Sequence, residues 1–299
     1  MPTLLSLGHG YSARALARLL LPRGWRVVGT ARSPGRVAEI EATGAEGVPW
    51  PGTDLRSLLA EATHLLASVA PDERGDPVLR EAGDAIAERA RGLAWAGYLS
   101  TTGVYGDRAG DWVDETSELR PATARGRWRV DAEAAWRAIP GVPLHVFRLA
   151  GIYGPGRGPF EKLRAGTARR VVKEGQVFSR IHVDDIAQVL LASIGRPNPG
   201  PEPFRAYNVC DDDPAPPDEV IAHAAALLGL PPPPVVPFKD ADLSPMARSF
   251  YAESKRVRND RIKGELGVRL LFPDYRSGLA ALLAAEGRAR RHGFAAPGA

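Results

Sequence analysis

Cysteine is nearly missing from this 299-residue sequence. The one that occurs, Cys210, excludes an internal disulfide framework and a zinc site built on several thiolates. Also missing is any apolar run approaching the ~20 residues that span a bilayer. The opening MPTLLSLGHG carries no basic leader and no small-residue cleavage site behind an apolar stretch, so the expected location is the cytoplasm. No block of like charge stands out. The 39 Lys and Arg exceed the 35 Asp and Glu to give +4, but arginines alternate with acids and do not gather in a tail. So modest an excess suits an anionic small ligand at least as well as DNA. No internal repeat is visible, and the 32 Gly and 27 Pro punctuate the whole chain instead of forming one biased tract.

What is present is an ordinary globular balance, 44% hydrophobic and 25% charged, in a chain long enough for one large domain or a nucleotide-binding domain with a smaller lobe. The first half alternates short apolar runs with helical patterns. TLLSL (Thr3 to Leu7), WRVVGT (Trp25 to Thr30), THLLASV (Thr63 to Val69), WAGYLST (Trp95 to Thr101) and LHVFRLA (Leu144 to Ala150) read as buried strands. Helices are expected over Ser12 to Leu21, after an Asp54 cap, and from Asp76 and Pro77 to Arg91, where an N-cap residue precedes a first-turn proline. This alternation predicts an α/β fold with a doubly wound parallel sheet covered on both faces. After Ala150 the rhythm changes to a glycine and proline loop, a strand-like QVFSRIHV, a helix DDIAQVLLASI, a short strand AYNVC and a final helix from Tyr275. The expected organisation is a dinucleotide-binding domain over 1–150, with 182–210 returning to it, and a smaller substrate lobe over 151–181 and 211–299.

The first chemical signal is G-x-G-x-x-A, spelled Gly8, His9, Gly10, Tyr11, Ser12, Ala13, where the first strand turns into the first helix. Gly8 permits the tight turn, Gly10 leaves room for a pyrophosphate, Ala13 lets the helix approach the sheet, and the helix N-terminus offers amides to phosphate. A cofactor lacking a 2′-phosphate calls for an acid at the end of the second strand. Here stand Thr30, Arg32, Ser33 and Arg36, a set that favours NADP over NAD. A second signal ends the strand WAGYLST: the hydroxyls of Ser100, Thr101 and Thr102, placed to bond a substrate oxygen.

Taken with STTGVYGD, FRLAGIYGPG, RIHVDDIA and YNVCDDDP, the glycine turn resembles the extended short-chain dehydrogenase/reductase superfamily, the NAD(P)-dependent epimerase/dehydratases. The likeness covers nearly the whole chain and is nearest to an atypical, YeeZ-like subgroup. It implies a Rossmann-type fold and an active site made of a Ser or Thr on this strand and a Tyr and Lys four residues apart on the next helix. Thr101 falls on the hydroxyl position. On the helix, Gly126, Ala132 and Glu133 match the pattern, but Arg125 stands for the Tyr, Trp128 for the Ser and Arg129 for the Lys.

That departure removes the usual proton relay, because arginine keeps its proton to about pH 12. Arg129 can still hold a ribose hydroxyl or an oxyanion. Tyr105, Tyr153 and His182 are candidate substitutes and substrate contacts, His182 because imidazole titrates near neutrality. Arg157, Arg169, Arg170 and Arg180 lie in the lobe that closes over substrate in this superfamily, and guanidinium groups suit phosphate or carboxylate oxygens. An anionic small molecule such as a nucleotide-sugar is the expected substrate, turned over by an oxidoreductase or epimerase. The alternative is an NAD(P)-binding sensor without redox turnover. A nucleic-acid role for Arg125, Arg127, Trp128 and Arg129 is disfavoured by the acids of the helix VDAEAAWRAI that continues the segment. The resemblance further implies a homodimer built on the helices near 76–91 and 125–138, with Trp128 and Trp136 available to it.

Overall fold

The computed structural model describes residues 1–196 and 204–291. Residues 197–203 and 292–299, within the expected returning segment and the expected lobe, lie outside the described residues. The chain runs β1 (Thr3–Leu7), α1 (Tyr11–Leu20), β2 (Arg26–Ala31), α2 (Pro34–Glu41), β3 (Glu46–Pro49), α3 (Leu55–Glu61), β4 (His64–Ala67), α4 (Pro77–Arg89) and β5 (Trp95–Thr101). It continues through β6 (Trp112–Val113), α5 (Ala124–Arg137), β7 (Leu144–Leu149), β8 (Gly151–Tyr153), α6 (Phe160–Arg164), β9 (Arg170–Val172), β10 (Arg180–His182) and α7 (Val183–Ile194). Beyond these come β11 (Phe204–Val209), α8 (Pro217–Leu227), β12 (Val235–Pro237), α9 (Pro245–Phe250), β13 (Arg256–Val257), α10 (Asp260–Gly264) and α11 (Tyr275–Arg291).

Seven strands form one parallel sheet in the order β11-β7-β5-β4-β1-β2-β3. Successive strand residues face opposite ways, so a strand buried on both faces must be apolar throughout. The neighbours Leu4 and Leu5, or Leu66 and Leu65, accordingly enter two different cores. One core packs Leu4, Leu66, Trp95, Leu99 and Phe147 against α1 and α7; the other packs Leu5, Leu65, Tyr98 and Val146 against α3, α4 and α5. Two charged caps fix helix starts as the sequence predicts: Asp54 accepts from the Arg56 amide, and Asp76 from the Val78 and Leu79 amides.

Three departures have local causes. β3 was not expected, since EGVP is an edge strand without apolar alternation and needs only the pairing of Val28 to Ala31. The Arg32 to Arg36 stretch, placed by the sequence at the end of the second strand, runs on into a helix: Pro34 opens α2, which carries Arg36. In QVFSRIHV only Arg180–His182 is strand, because His182 caps α7. A third core of Tyr153, Phe160, Leu163, Val220, Tyr275 and Leu279 joins α6, α8 and α11 beyond the carboxyl edge of the sheet.

Candidate functional site

Chain order reverses between β1 and β4, and in open parallel sheets the crevice at such a switch point receives the ligand. Gly8 lies there with φ +79°, and a Cβ on it would come within 2.8 Å of the Val69 side chain. Only glycine fits. Gly10 differs: a Cβ there would meet nothing nearer than the Gly8 carbonyl at 3.8 Å, so its bare face opens away from the protein. Ala13 is buried where α1 meets the sheet, and Ser12 is buried beside it. An open glycine face at the N-terminus of a ten-residue helix fits a dinucleotide pyrophosphate. The Tyr11 side chain turns elsewhere, donating to the Pro155 carbonyl at 2.9 Å.

At the end of β2 the expected set divides. Thr30 is buried, and its hydroxyl accepts from the Gly8 amide at 2.9 Å while its carbonyl accepts from the His9 amide. It therefore braces the glycine turn and is not free to contact a phosphate. Arg32, Ser33 and Arg36 are exposed at the mouth. Beside them a cavity of about 220 Å³ is lined by His9, Gly10, Tyr11, Arg14, Arg36, Glu39 and Ile40. Glu39 accepts from Arg14 at 3.2 Å and from Arg36 at 2.6 Å. Arg14 and Glu39 join the site only in the structure, although the four-residue spacing of Arg14 from Gly10, one turn along α1, is a signal for it in the sequence.

At the end of β5, Thr101 and Thr102 are half-buried, and the Thr101 hydroxyl accepts from the Gly103 amide at 3.1 Å. Ser100 is a correction. It is 4% exposed and donates to Glu133 at 2.5 Å, which fixes it inside the sheet-helix interface and away from any ligand. Glu133 pairs with Arg148 at 2.7 Å, Arg148 donates to the Tyr105 hydroxyl at 2.9 Å, and Tyr105 donates to Asn208 at 2.7 Å. This buried chain runs from β5 to β11. It could be suspected in the sequence only from charges inside otherwise apolar strands.

The helix α5 abuts this strand end. Arg125 is exposed at its start, and Gly126 lies so close to the Thr102–Tyr105 turn that a Cβ would stand 3.0 Å from the Gly103 carbonyl. Arg129 is half-buried against β5, donating to the Tyr98 hydroxyl at 3.2 Å and to the Leu99 carbonyl, with its guanidinium 5.6 Å from the centre of the Tyr98 ring. Burial pushes the Tyr98 hydroxyl well above its usual range. Trp136 is 1% exposed, stacks by Tyr98 and donates to Asp76, so it belongs to the core and not to a surface available to a second chain.

The other expected substrate contacts are corrected by burial. Tyr105 has no exposure, and its hydroxyl is pushed up to about 12. Tyr153 is wedged between His182 and Gly278, where it donates to the Asp274 carbonyl at 3.4 Å. His182 is 2% exposed, its Nδ1 accepts from the Asp184 amide at 3.2 Å, and burial lowers its pKa from the ordinary imidazole value. Arg180 donates to the Phe178 and Ala215 carbonyls at 2.8 and 3.0 Å. Of the lobe arginines, Arg157 is exposed over the Tyr11 ring at 5.8 Å, Arg169 is exposed and donates to the Gly166 and Ala168 carbonyls, and Arg170 faces Asp218 at 3.7 Å. Lys255 was not singled out, yet it donates to the Gly106 carbonyl at 2.8 Å and ties β13 to the turn after β5.

No protein-family model matches the chain. Among curated proteins it is 28% identical over 284 residues to Protein YeeZ of Escherichia coli (strain K12), covering 90% of this chain and 95% of that one. It is 30% identical over 292 residues to a 3-diazoavenalumate denitrifying reductase of Streptomyces sp, covering 91% of each. A solved structure of a conserved protein of unknown function from Silicibacter pomeroyi DSS matches with a TM-score of 0.90 and 63% identity over 95% of this chain and 99% of that one. Two more distant structures share the fold. One is MoeE5 with UDP-glucose and NAD (TM-score 0.76, 18% identity, 96% and 99% covered); the other is a human epimerase family protein with NADPH (0.70, 19%, 94% and 99%). A structure from Methylobacillus flagellatus described as an NAD-dependent epimerase/dehydratase also matches (TM-score 0.73, 27% identity, 96% and 99% covered), and with the switch-point glycine turn, the hydroxyl-bearing strand end abutted by α5 and the relatives above it agrees on one assignment: the chain belongs to the NAD-dependent epimerase/dehydratase family.

Proposed function

We propose that the protein is an NADP-dependent oxidoreductase or epimerase acting on an anionic small molecule, such as a nucleotide-sugar, through an atypical active site. The observation that carries this reading is the juxtaposition of the open Gly8–Gly10 turn with exposed Arg32 and Arg36 at the end of β2, a cationic site suited to a 2′-phosphate. The backbone of Gly8 to Ala13 would hold the pyrophosphate, and Arg32, Ser33 and Arg36 the phosphorylated ribose. When bound, the dinucleotide supplies or accepts a hydride. Thr101 donates a hydrogen bond to the substrate oxygen. Arg125 and Arg129 stabilise negative charge there and exchange no proton, so the proton comes from a hydroxyl or from water. Arg157, exposed beside Tyr11, would meet the substrate's anionic part. The NADPH complex of the human family member and the reductase name of the Streptomyces relative support the redox reading; MoeE5 with UDP-glucose supports the nucleotide-sugar. A homodimer through α4 and α5 belongs to the same proposal.

The test follows the absorbance of reduced nicotinamide, with product analysis for redox-neutral epimerisation, across nucleotide-sugars and carbonyl acids. Thr101→Ala is expected to lower turnover on the accepted substrate about 100-fold with NADPH affinity unchanged, the loss typical of one oxyanion-stabilising donor. Unchanged turnover removes Thr101 from the site. The replacement of both proton-relay positions by arginine favours one other reading, a dinucleotide sensor, and silence across the panel with NADPH still bound would establish it.

A further inference from the structure

His9 sits between the two glycines of the turn and is 6% exposed, yet neither ring nitrogen has a partner among the described residues. A buried polar group without a partner is unfavourable, because it has given up its water without a replacement. The surroundings keep this one in place. Gly29 on β2 has no side chain, and a Cβ there would lie 2.6–2.9 Å from the His9 ring and its Cβ, so the strand leaves a recess for the imidazole. His9 is one of the residues lining the cavity of about 220 Å³ whose other walls carry Arg14 on α1 and Arg36 and Glu39 on α2. Those are the charged groups that face it, with the Thr30 carbonyl holding the His9 amide from β2 at 2.9 Å. Burial, and then Arg14, lower the imidazole to about 4, so it is neutral at physiological pH and offers one donor and one acceptor.

We propose that His9 is a specificity-determining residue for the cofactor: its ring donates to the 2′-phosphate of a dinucleotide ribose held between Arg14 and Arg36. The inference rests on the NADP reading above and adds a contact from within the glycine turn. Glu39 bonds both guanidinium groups at the cavity, so a phosphate held between them takes the place of its carboxylate. A donor fixed in advance loses little freedom on binding, and a hydrogen bond to a charged oxygen is among the stronger kinds.

Calorimetric titration of NADPH and NADH into wild type and His9→Leu tests the proposal, leucine filling the recess without a donor. The expected result is a loss of NADPH affinity of about 10- to 100-fold, with NADH affinity held within about twofold. Equal weakening of both nucleotides, or no change, overturns the role of His9 while leaving the NADP reading intact. A wild type that does not prefer NADPH overturns that reading and this one with it. If the leucine variant does not fold, His9→Ala is read by the same ratio.

Discussion

At the residue scale, burial decides which titratable groups are available for chemistry. Three of the tyrosines nearest the candidate site, Tyr98, Tyr105 and Tyr153, are buried with their hydroxyls shifted upward, so none replaces the missing acid/base of the family pattern. The same effect acts on Asp211, just past β11. Its side chain is 1% exposed, neither carboxylate oxygen has a partner among the described residues, and burial pushes it up to about 8 against the pull of Arg180. The folded state therefore holds a proton that the unfolded chain releases above the usual carboxylate range. Stability from this group is full at low pH and is lost as pH rises toward 8. His9 and His64, lowered to about 4 by burial, act in the opposite sense, but only below their unfolded value of 6.5. Between pH 6.5 and 8 the Asp211 contribution stands alone among these. Urea denaturation should show wild type losing about 1–2 kcal/mol across that interval, at up to 1.36 kcal/mol per pH unit, and Asp211→Asn losing none of it.

At the element scale, the approach of α5 to the end of β5 seats Arg129 against Tyr98 and the Leu99 carbonyl and Gly126 against the Gly103 carbonyl. Gly126, whose amide is capped by the Thr123 hydroxyl at 3.1 Å, makes that approach possible. A larger residue gains helix propensity of up to about 1 kcal/mol. It also meets the Pro121 ring at 2.8 Å and the Gly103 carbonyl at 3.0 Å, and overpacking of this kind costs about 1–3 kcal/mol. Gly126→Val, with a branched Cβ, is expected to lower stability by about 2 kcal/mol and to reduce turnover more than cofactor affinity; a thermal melt and a steady-state assay read the two effects. Elements whose apolar residues face a core were legible in the sequence. WAGYLST is β5 to the residue, and Asp76 with Pro77 marks the start of α4. β3 and α2 were not legible, because EGVP is an edge strand and PGRVAEIE is mostly exposed, so neither carries the periodicity that burial imposes. The candidate site was legible where backbone needs glycine, at Gly8 and Gly10. It was misread where polar residues face inward: Ser100, Thr30, Tyr105 and Arg180 look like ligand contacts in the sequence and are internal ties in the structure. Sequence shows that a polar group exists but not which partner satisfies it.

At the scale of the whole molecule, the sheet places the glycine turn of β1, the hydroxyl end of β5 and the loop after β7 along one carboxyl edge, and the lobe of α6, α8 and α11 stands beyond it. Tyr11 links the halves, since its hydroxyl bonds the Pro155 carbonyl of the loop from β8 while its backbone opens α1. Among the described residues no helix is long and apolar enough to cross a membrane. The chemistry of the site depends on what that edge holds. The most direct test is a calorimetric titration of the wild-type protein with NADPH and, separately, NADH. The account predicts that NADPH binds at least tenfold more tightly, the worth of about one charge-assisted contact to the 2′-phosphate. Failure of both nucleotides to bind at millimolar concentration, or a preference for NADH, would contradict it.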